Sequence, residues 1–350
     1  MAIDAPAVTV LLPLLNEVES IDLCLESLAA QDYPGPIEIL IAEGGSTDGT
    51  RERLSEWEAR LPRLRVIENP RRLQSHGLNL LAEHAAGEVV VRADGHTTYA
   101  PDYVSRSVET LRRTGAMVVG GLMKPVGTNP FTKAVAAAMT SPWAIGTAKF
   151  RHADAEMEAD AVYLGAMRRS DFLRVGGIRT FPTGVAEDAD FFFRLSRAGA
   201  RVVLDPLIVS SYQPRTDLPG LFRQFRRYGQ GKAEMFWVNG ELPSRRPLAP
   251  LALVIALAAG LALSMIGGTV VPLAVLVGVW LVGSLLVFRS HGRLALAVAA
   301  VAAVMQVAYG IGLVWGLVRG PGPVRDLRSP PVRSVVPPGR STADQRDRHP

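Results

Sequence analysis

The 350-residue chain holds a single cysteine, Cys24. One thiol excludes an intramolecular disulfide and any multi-cysteine metal centre. No predicted strand is followed by G-x-G-x-x-G, so the dinucleotide fingerprint of a nicotinamide oxidoreductase is missing. The opening segment MAIDAPAVTVLLPLLNEVES has no basic n-region and reaches acidic residues early, which argues against a signal peptide. The net charge is only +5, and no basic stripe carries interleaved aromatics, so nucleic acid is not an expected partner. Charge itself is the most informative absence. Residues 248–288 and 294–318 contain no Asp, Glu, Lys or Arg. A spanning helix needs roughly 20 apolar residues. The two runs therefore predict about three helices, near 248–267, 270–288 and 294–318, with a tight turn at 267–268 and a break at 289–293.

The flanking arginines suggest an orientation. Arg245 and Arg246 precede the first apolar run, and Arg289 and Arg293 follow the second, which puts the N-terminal region in the cytoplasm by the positive-inside rule. Arg319, Arg325, Arg328 and Arg333 then fall on the wrong side if all three segments cross. Either the third segment is re-entrant or interfacial, or the charge rule fails here. The expected organisation is a cytoplasmic domain over 1–245, a membrane anchor over 246–320 in the inner cell membrane, and a disordered Pro/Arg-rich tail over 321–350.

The first 120 residues alternate strand and helix. Residues 8–12 form a short apolar strand, and Asn16 is placed to cap the next helix, with Glu17 and Glu19 in its first turn. Val18, Ile21, Leu25 and Leu28 recur at helical spacing. Residues 38–42, 64–67 and 88–93 read as further strands, separated by helices over 50–60 and 75–86. This alternation predicts an α/β fold with a mostly parallel, Rossmann-like sheet covered on both faces. Ligands of such sheets bind beyond the carboxyl ends of the strands.

Three segments should converge there: Pro13 to Glu17, Glu43 to Thr50, and Asp94-Gly95-His96. A carboxylate at the base of the crevice can accept from a nucleoside, and glycines let backbone approach a ligand. Asp94 and His96, two apart, share a face if the strand stays extended. Such a pair could contact a divalent ion that neutralises a diphosphate. Each piece alone is also an ordinary turn or cap. Arg71, Arg72 and Arg92 could assist with phosphates, although a solvated surface role suits at least two of them.

The segments VTVLLPLLNE, ILIAEGGSTDGT, VVRADGHTTYAPDY, YLGAMRRSDFLRVGG, EDADFFFRLSRAG and QFRRYGQGK together resemble a family 2 glycosyltransferase, of the succinoglycan-biosynthesis type. The resemblance covers most of the first 240 residues. It implies an inverting enzyme on a nucleotide-diphospho-sugar-binding fold, acting with Mg²⁺ or Mn²⁺. A UDP-sugar is then the expected donor, and a lipid-linked glycan in exopolysaccharide assembly the expected acceptor. Pro13, Glu17, Glu43, Gly45 and Asp94 fall at the donor-binding positions, with Glu43 replacing a shorter family aspartate. Asp94 and His96 occupy the metal motif, histidine standing at its second acid. Asp188 aligns with the catalytic base and Glu187 with its neighbour. Gln224, Arg227 and Tyr228 match the Gln-x-x-Arg-Trp element near acceptor and diphosphate, with Tyr for Trp; Arg227 would steady the leaving phosphate. The processive synthases usually have a span before the catalytic domain and keep the Trp. A polyprenyl-phosphate sugar transferase and an inactive sugar-binding scaffold are the other rivals.

Overall fold

The computed structural model describes residues 5–146, 149–241 and 245–320. The expected tail over 321–350 lies outside them. Among the described residues, nine strands form one sheet: β1 (Val8–Leu14), β2 (Ile37–Glu43), β3 (Leu64–Glu68), β4 (Val89–Arg92), β5 (Thr97–Tyr99), β6 (Val118–Pro125), β7 (Met157–Glu158), β8 (Tyr163–Arg168) and β9 (Val202–Tyr212). The order is β3-β2-β1-β4-β8-β6-β9-β5, with β7 also paired to β9. β1 to β4 are mutually parallel, and β6 runs parallel to β9. β8 enters antiparallel between β4 and β6, which makes the sheet mixed but mostly parallel.

Period-two alternation assigns the apolar side chains to two layers. On β1, Val8, Val10, Leu12 and Leu14 join one buried cluster with Ile21, Leu25 and Trp57. Leu11 faces the other way, into a cluster with Leu40, Leu78, Phe191 and Phe192. With both faces covered by helices, the central strands are largely apolar.

The register brings the strand ends to one edge. Leu14 pairs with Glu43, and Leu11 with Arg92. Ala93 still donates to the Leu11 carbonyl at 2.9 Å. Pro13 has no N–H to continue the ladder, so the chain beyond Arg92 is released from the sheet.

One local expectation fails. Asn16 does not cap the first helix, which spans Ile21–Ala29 after Ser20. Asn16 sits at φ 56° and turns toward the second loop instead. Its N–H donates to Ser46 Oγ at 2.8 Å, and its Oδ1 accepts from Thr47 N at 2.9 Å. Asn tolerates this left-handed conformation better than most residues.

The apolar C-terminal part forms helices over Leu248–Ile266, Val271–Phe288 and Ala295–Arg319. By length and composition, Leu248–Ile266 and the longer stretch Val271–Arg319 could cross a membrane. The backbone breaks between the second and third helices, where Gly292 takes φ 55°, ψ −123°.

Candidate active site

The loops after β1 and β2 are laced together by short polar side chains. Glu17 N donates to Thr50 Oγ1 at 2.9 Å, and Val18 N to Asp48 Oδ2 at 3.1 Å. Asp48 Oδ1 also accepts from Thr50 N at 3.0 Å, closing the turn into the helix Thr50–Arg60. These bonds fix the position of Glu17. Its Oε1 accepts from His96 Nδ1 at 3.1 Å, and its Oε2 from Ser20 Oγ at 3.0 Å.

Glu43 is buried, and its own loop occupies both carboxylate oxygens. Oε1 accepts from Ser46 N at 2.6 Å, and Oε2 from Gly45 N at 3.0 Å, with Arg51 Nε 2.9 Å away. Burial works against its charge, but the Ser46 and Gly45 donors and the Arg51 charge outweigh it and hold the carboxyl below its ordinary range. Gly45, at φ 77°, has the Arg72 guanidinium beside it, and Arg72 donates to the Gly45 carbonyl at 2.9 Å.

Asp94 and His96 do not share a face of an extended strand. β4 ends at Arg92, and residues 95 and 96 form a turn. Asp94 Oδ1 accepts from Gln74 Nε2 at 3.0 Å and lies 3.5 Å from Arg92 Nη2. His96 points instead at Glu17, with its ring edge-on to Tyr212 at 5.3 Å. Burial opposes protonation of His96, and the Glu17 hydrogen bond more than offsets it, so its pKa is raised.

The residue that joins the site is Arg92. One guanidinium, only 11% exposed, contacts both Asp94 and Asp188. The two carboxylates are far apart in sequence and come from a strand end and a helix start. Asp188 lies in the first turn of the helix Glu187–Arg197, where the helix dipole favours a carboxylate. Its side chain is half exposed, facing outward from the Arg92 contact. Glu187 beside it is buried, and its Oε2 has no hydrogen-bond partner. Burial, reinforced by the charge of Asp188, pushes the Glu187 carboxyl up to about 8. The two adjacent acids therefore sit in different electrostatic surroundings, one buried and one half exposed. Beneath Arg92 and Asp188 lies a void of about 30 Å³, lined by Leu11, Leu78, Val90 and Phe191.

The helix Leu218–Asn239 closes the far side. Asp217 caps it, accepting from Gly220 N at 2.7 Å. Gln224 Nε2 lies 3.0 Å from both the Tyr212 and Tyr228 hydroxyls, so this element reaches His96 through Tyr212. Arg227 donates to the Thr183 carbonyl at 2.7 Å, four residues before Glu187. Gly231 permits this approach, since a Cβ there would meet Val185 Cγ2 at 2.7 Å.

Glu17, Asp94, His96, Glu187 and Asp188 thus gather at one edge. Pro13 is buried near the end of β1, and Glu43 ends β2 beside it with Gly45 in the loop that follows. Gln224, Arg227 and Tyr228 approach from the helix Leu218–Asn239. Sequence reasoning left Arg92 among three arginines of undecided role. The available signal was its position two residues before Asp94. It also missed Gln74 and Tyr212, which no motif marks. Burial, with Arg246 nearby, pushes the Lys232 ammonium down to about 8.

Among the described residues, no group of three or more His, Cys, Asp or Glu side chains is placed to hold a metal. Asp94 and His96 are the two donors expected from the sequence. Two protein donors still suit Mg²⁺ or Mn²⁺, which are usually completed by water and substrate phosphates. The Glu17 contact at Nδ1 also fits, because a metal-binding imidazole typically donates its other N–H to a carboxylate.

Comparison with known proteins places this geometry in context. The profile of Glycosyl transferase family 2 matches residues 9–175. The chain is 37% identical over 275 residues to the succinoglycan biosynthesis protein ExoA of Rhizobium meliloti (strain 1021), covering 77% of this chain and 81% of that protein. It is 26% identical over 239 residues to a Methanococcus voltae dolichyl N-acetyl-alpha-D-glucosaminyl phosphate 3-beta-D-2,3-diacetamido-2,3-dideoxy-beta-D-glucuronosyltransferase, covering 65% and 73%. Among solved structures, the mannosyltransferase PcManGT from Pyrobaculum calidifontis, in complex with GDP-Man and Mn²⁺, shares the fold. Its TM-score is 0.60 at 23% identity, with 89% of this chain and 87% of that chain covered.

Proposed function

This chain belongs to glycosyl transferase family 2, and we propose that it moves a sugar, with inversion, from a nucleotide-diphospho-sugar to a hydroxyl of a lipid-linked glycan. The observation that carries the reading is the meeting of Asp94 and Asp188 on the Arg92 guanidinium at the carboxyl edge of the sheet.

The roles follow from the surroundings. Pro13, Glu17, Glu43 and Gly45 line the crevice that takes the nucleoside. Asp94 and His96 would hold a divalent cation, Mg²⁺ or Mn²⁺, whose charge neutralises the donor diphosphate. Mn²⁺ suits a mixed oxygen and imidazole pair better than Mg²⁺, which prefers oxygen alone. Asp188 is outward-facing and accepts the proton of the attacking hydroxyl, at hydrogen-bond reach of roughly 3 Å. Arg92 is a positioning residue that sets Asp188 relative to Asp94. Glu187 stays protonated near neutrality and can donate a hydrogen bond. Gln224, Arg227 and Tyr228 sit where an acceptor or the departing diphosphate would pass, and Arg227 supplies a cation there. A uridine diphospho-sugar is the proposed donor.

The proposed organisation has residues 1–245 as a cytoplasmic catalytic part and 246–320 as the anchor in the inner cell membrane. A membrane-seated site suits a lipid-linked acceptor. The Methanococcus voltae relative, named for a dolichyl-linked sugar substrate, supports that class of acceptor.

The test uses the full chain in lipid nanodiscs with labelled nucleotide-sugars, extracted lipid-linked oligosaccharide, and Mg²⁺, Mn²⁺ or chelator. The expected product is an acceptor longer by one sugar, formed only with a divalent cation. A long polymer would make the chain a processive synthase. A monosaccharide-lipid would make it a polyprenyl-phosphate sugar transferase. Donor binding without turnover on any acceptor would sink the enzyme assignment.

A further inference from the structure

The third apolar helix, Ala295–Arg319, is long enough to cross a bilayer, yet one of its faces is fully occupied by the catalytic fold. Val298, Ala302, Met305 and Ala308 pack into a cluster with Ala134, Val135 and Ala138 of the helix Pro130–Met139. Further along, Gly312 and Gly316 press on the helix Leu218–Asn239. A Cβ at Gly312 would stand 1.9 Å from the Arg226 carbonyl oxygen, and one at Gly316 would stand 2.6 Å from Ala233 Cβ. Gln306 is also engaged, donating to the Trp143 carbonyl at 2.5 Å and accepting from Trp280 Nε1 at 3.0 Å.

That seam cannot lie across hydrocarbon. The Leu218–Asn239 helix carries Arg223, Arg226, Arg227, Lys232 and Glu234 along its length. Ionised groups at bilayer depth are costly and face a protein interior or water. The same helix contributes Gln224 and Arg227 to the site, so it belongs to the aqueous domain. A helix packed along it stays at the membrane surface.

The opposite face of Ala295–Arg319 is apolar and regular. Leu296, Ala300, Ala303, Val307, Ile311 and Trp315 recur at intervals of three and four residues, the spacing of one helical stripe. Leu296 is 62% exposed and Trp315 54%. Arg319 stacks on Trp315 at 5.9 Å, an aromatic–cation pair suited to the lipid–water boundary. The hairpin of Leu248–Ile266 and Val271–Phe288 packs on this helix at its base, where a Cβ at Gly310 would stand 2.4 Å from the Pro250 carbonyl oxygen, while Met265 and Ile266 at its tip are 76% and 84% exposed.

We infer that Ala295–Arg319 lies in the plane of the membrane surface, between lipid and the catalytic fold, and that among the described helices only the hairpin crosses. This rests on the proposed anchoring of the hairpin in a bilayer. It also resolves the charge conflict, because Arg319 then shares a side with Arg245, Arg246, Arg289 and Arg293. A lipid-linked acceptor lying in that leaflet would meet the Gln224–Arg227 element from the membrane.

The test is single-cysteine topology mapping on the full chain in a Cys24→Ser background. Glu56→Cys marks the catalytic side, Gly268→Cys the hairpin turn, and Arg319→Cys the end of the third helix. Right-side-out and inverted membrane vesicles are treated with a membrane-impermeant maleimide. The inference expects Arg319→Cys to label from the same side as Glu56→Cys, and Gly268→Cys from the other. Labelling of Arg319→Cys from the Gly268 side would overturn it and restore three crossings. Labelling of Gly268→Cys from the Glu56 side would overturn the crossing hairpin, which is a failure of the anchor reading and separable from the first. A fluorescent protein fused after Pro350 reports the same side without altering the helix. It fluoresces if that end is cytoplasmic, and loss of fluorescence with protein present would count against the inference.

Discussion

Glu187→Gln should make the protein more stable at neutral pH, although it removes a residue of the site. The carboxyl is 5% exposed, and its Oε2 has no hydrogen-bond partner. Its pKa is raised from 4.5 to about 8, by burial first and by Asp188 second. In the unfolded chain it ionises near pH 4.5, while the folded chain keeps the proton until about pH 8. Between those values the folded state binds more protons than the unfolded state, so stability falls as pH rises. At pH 7 the raised pKa corresponds to a ceiling of about 3 kcal/mol. Relaxation around the coupled pair and water entry bring the expected gain to roughly 1–3 kcal/mol. At roughly 2–4 °C per kcal/mol, the apparent Tm of Glu187→Gln at pH 7 should exceed wild type by about 2–12 °C. The glutamine stays neutral, so the gap should close at pH 4.5 and level off above pH 8. Thermal unfolding of both proteins in one detergent, across pH 4.5–8.5, measures this directly. A gap that stays constant over that range would refute the reasoning, because a simple packing change has no pH dependence.

Four further outcomes are expected. Asp188→Asn should lower transfer by roughly 10²- to 10⁴-fold, the usual contribution of a general base, while donor affinity by calorimetry changes little; wild-type turnover would remove Asp188 from that role. Asp94→Ala should raise the cation concentration needed for donor binding, and an unchanged Mn²⁺ titration would place the ion elsewhere. Arg92→Met should lower kcat by about 10²-fold through misplacement of Asp188, with less effect on donor KM; the opposite split would make Arg92 a phosphate ligand. Gly312→Ala should destabilise by about 1–3 kcal/mol through overpacking against Arg226, whereas Gly278→Ala, which meets nothing within 4 Å, should be neutral in unfolding assays.

Local chemistry alone determined a good part of this protein. Apolar runs, turn residues and helix periodicity are properties of neighbouring residues, so the alternating strands and helices of the first 100 residues and the apolar C-terminal helices were legible. The loop motifs were legible too, because functional loops follow strand ends. What required the tertiary structure was every relation set by side-chain direction. Asn16 could serve as a cap or as a bridge to the second loop, and only the position of Ser46 and Thr47 chose the bridge. Asp94 and His96 were spaced to share a face, but Pro13 ended the ladder and the turn sent them to different partners. Arg92 lies within the segment VVRADGHTTYAPDY, but its sequence neighbours assign it no role. Its place between Asp94 and Asp188 depends on the helix Glu187–Arg197 lying over the end of β4, a contact spanning some 96 positions of sequence. The third apolar helix shows the same limit. Hydropathy reports that a segment avoids water, and only packing shows whether lipid or protein provides the shelter.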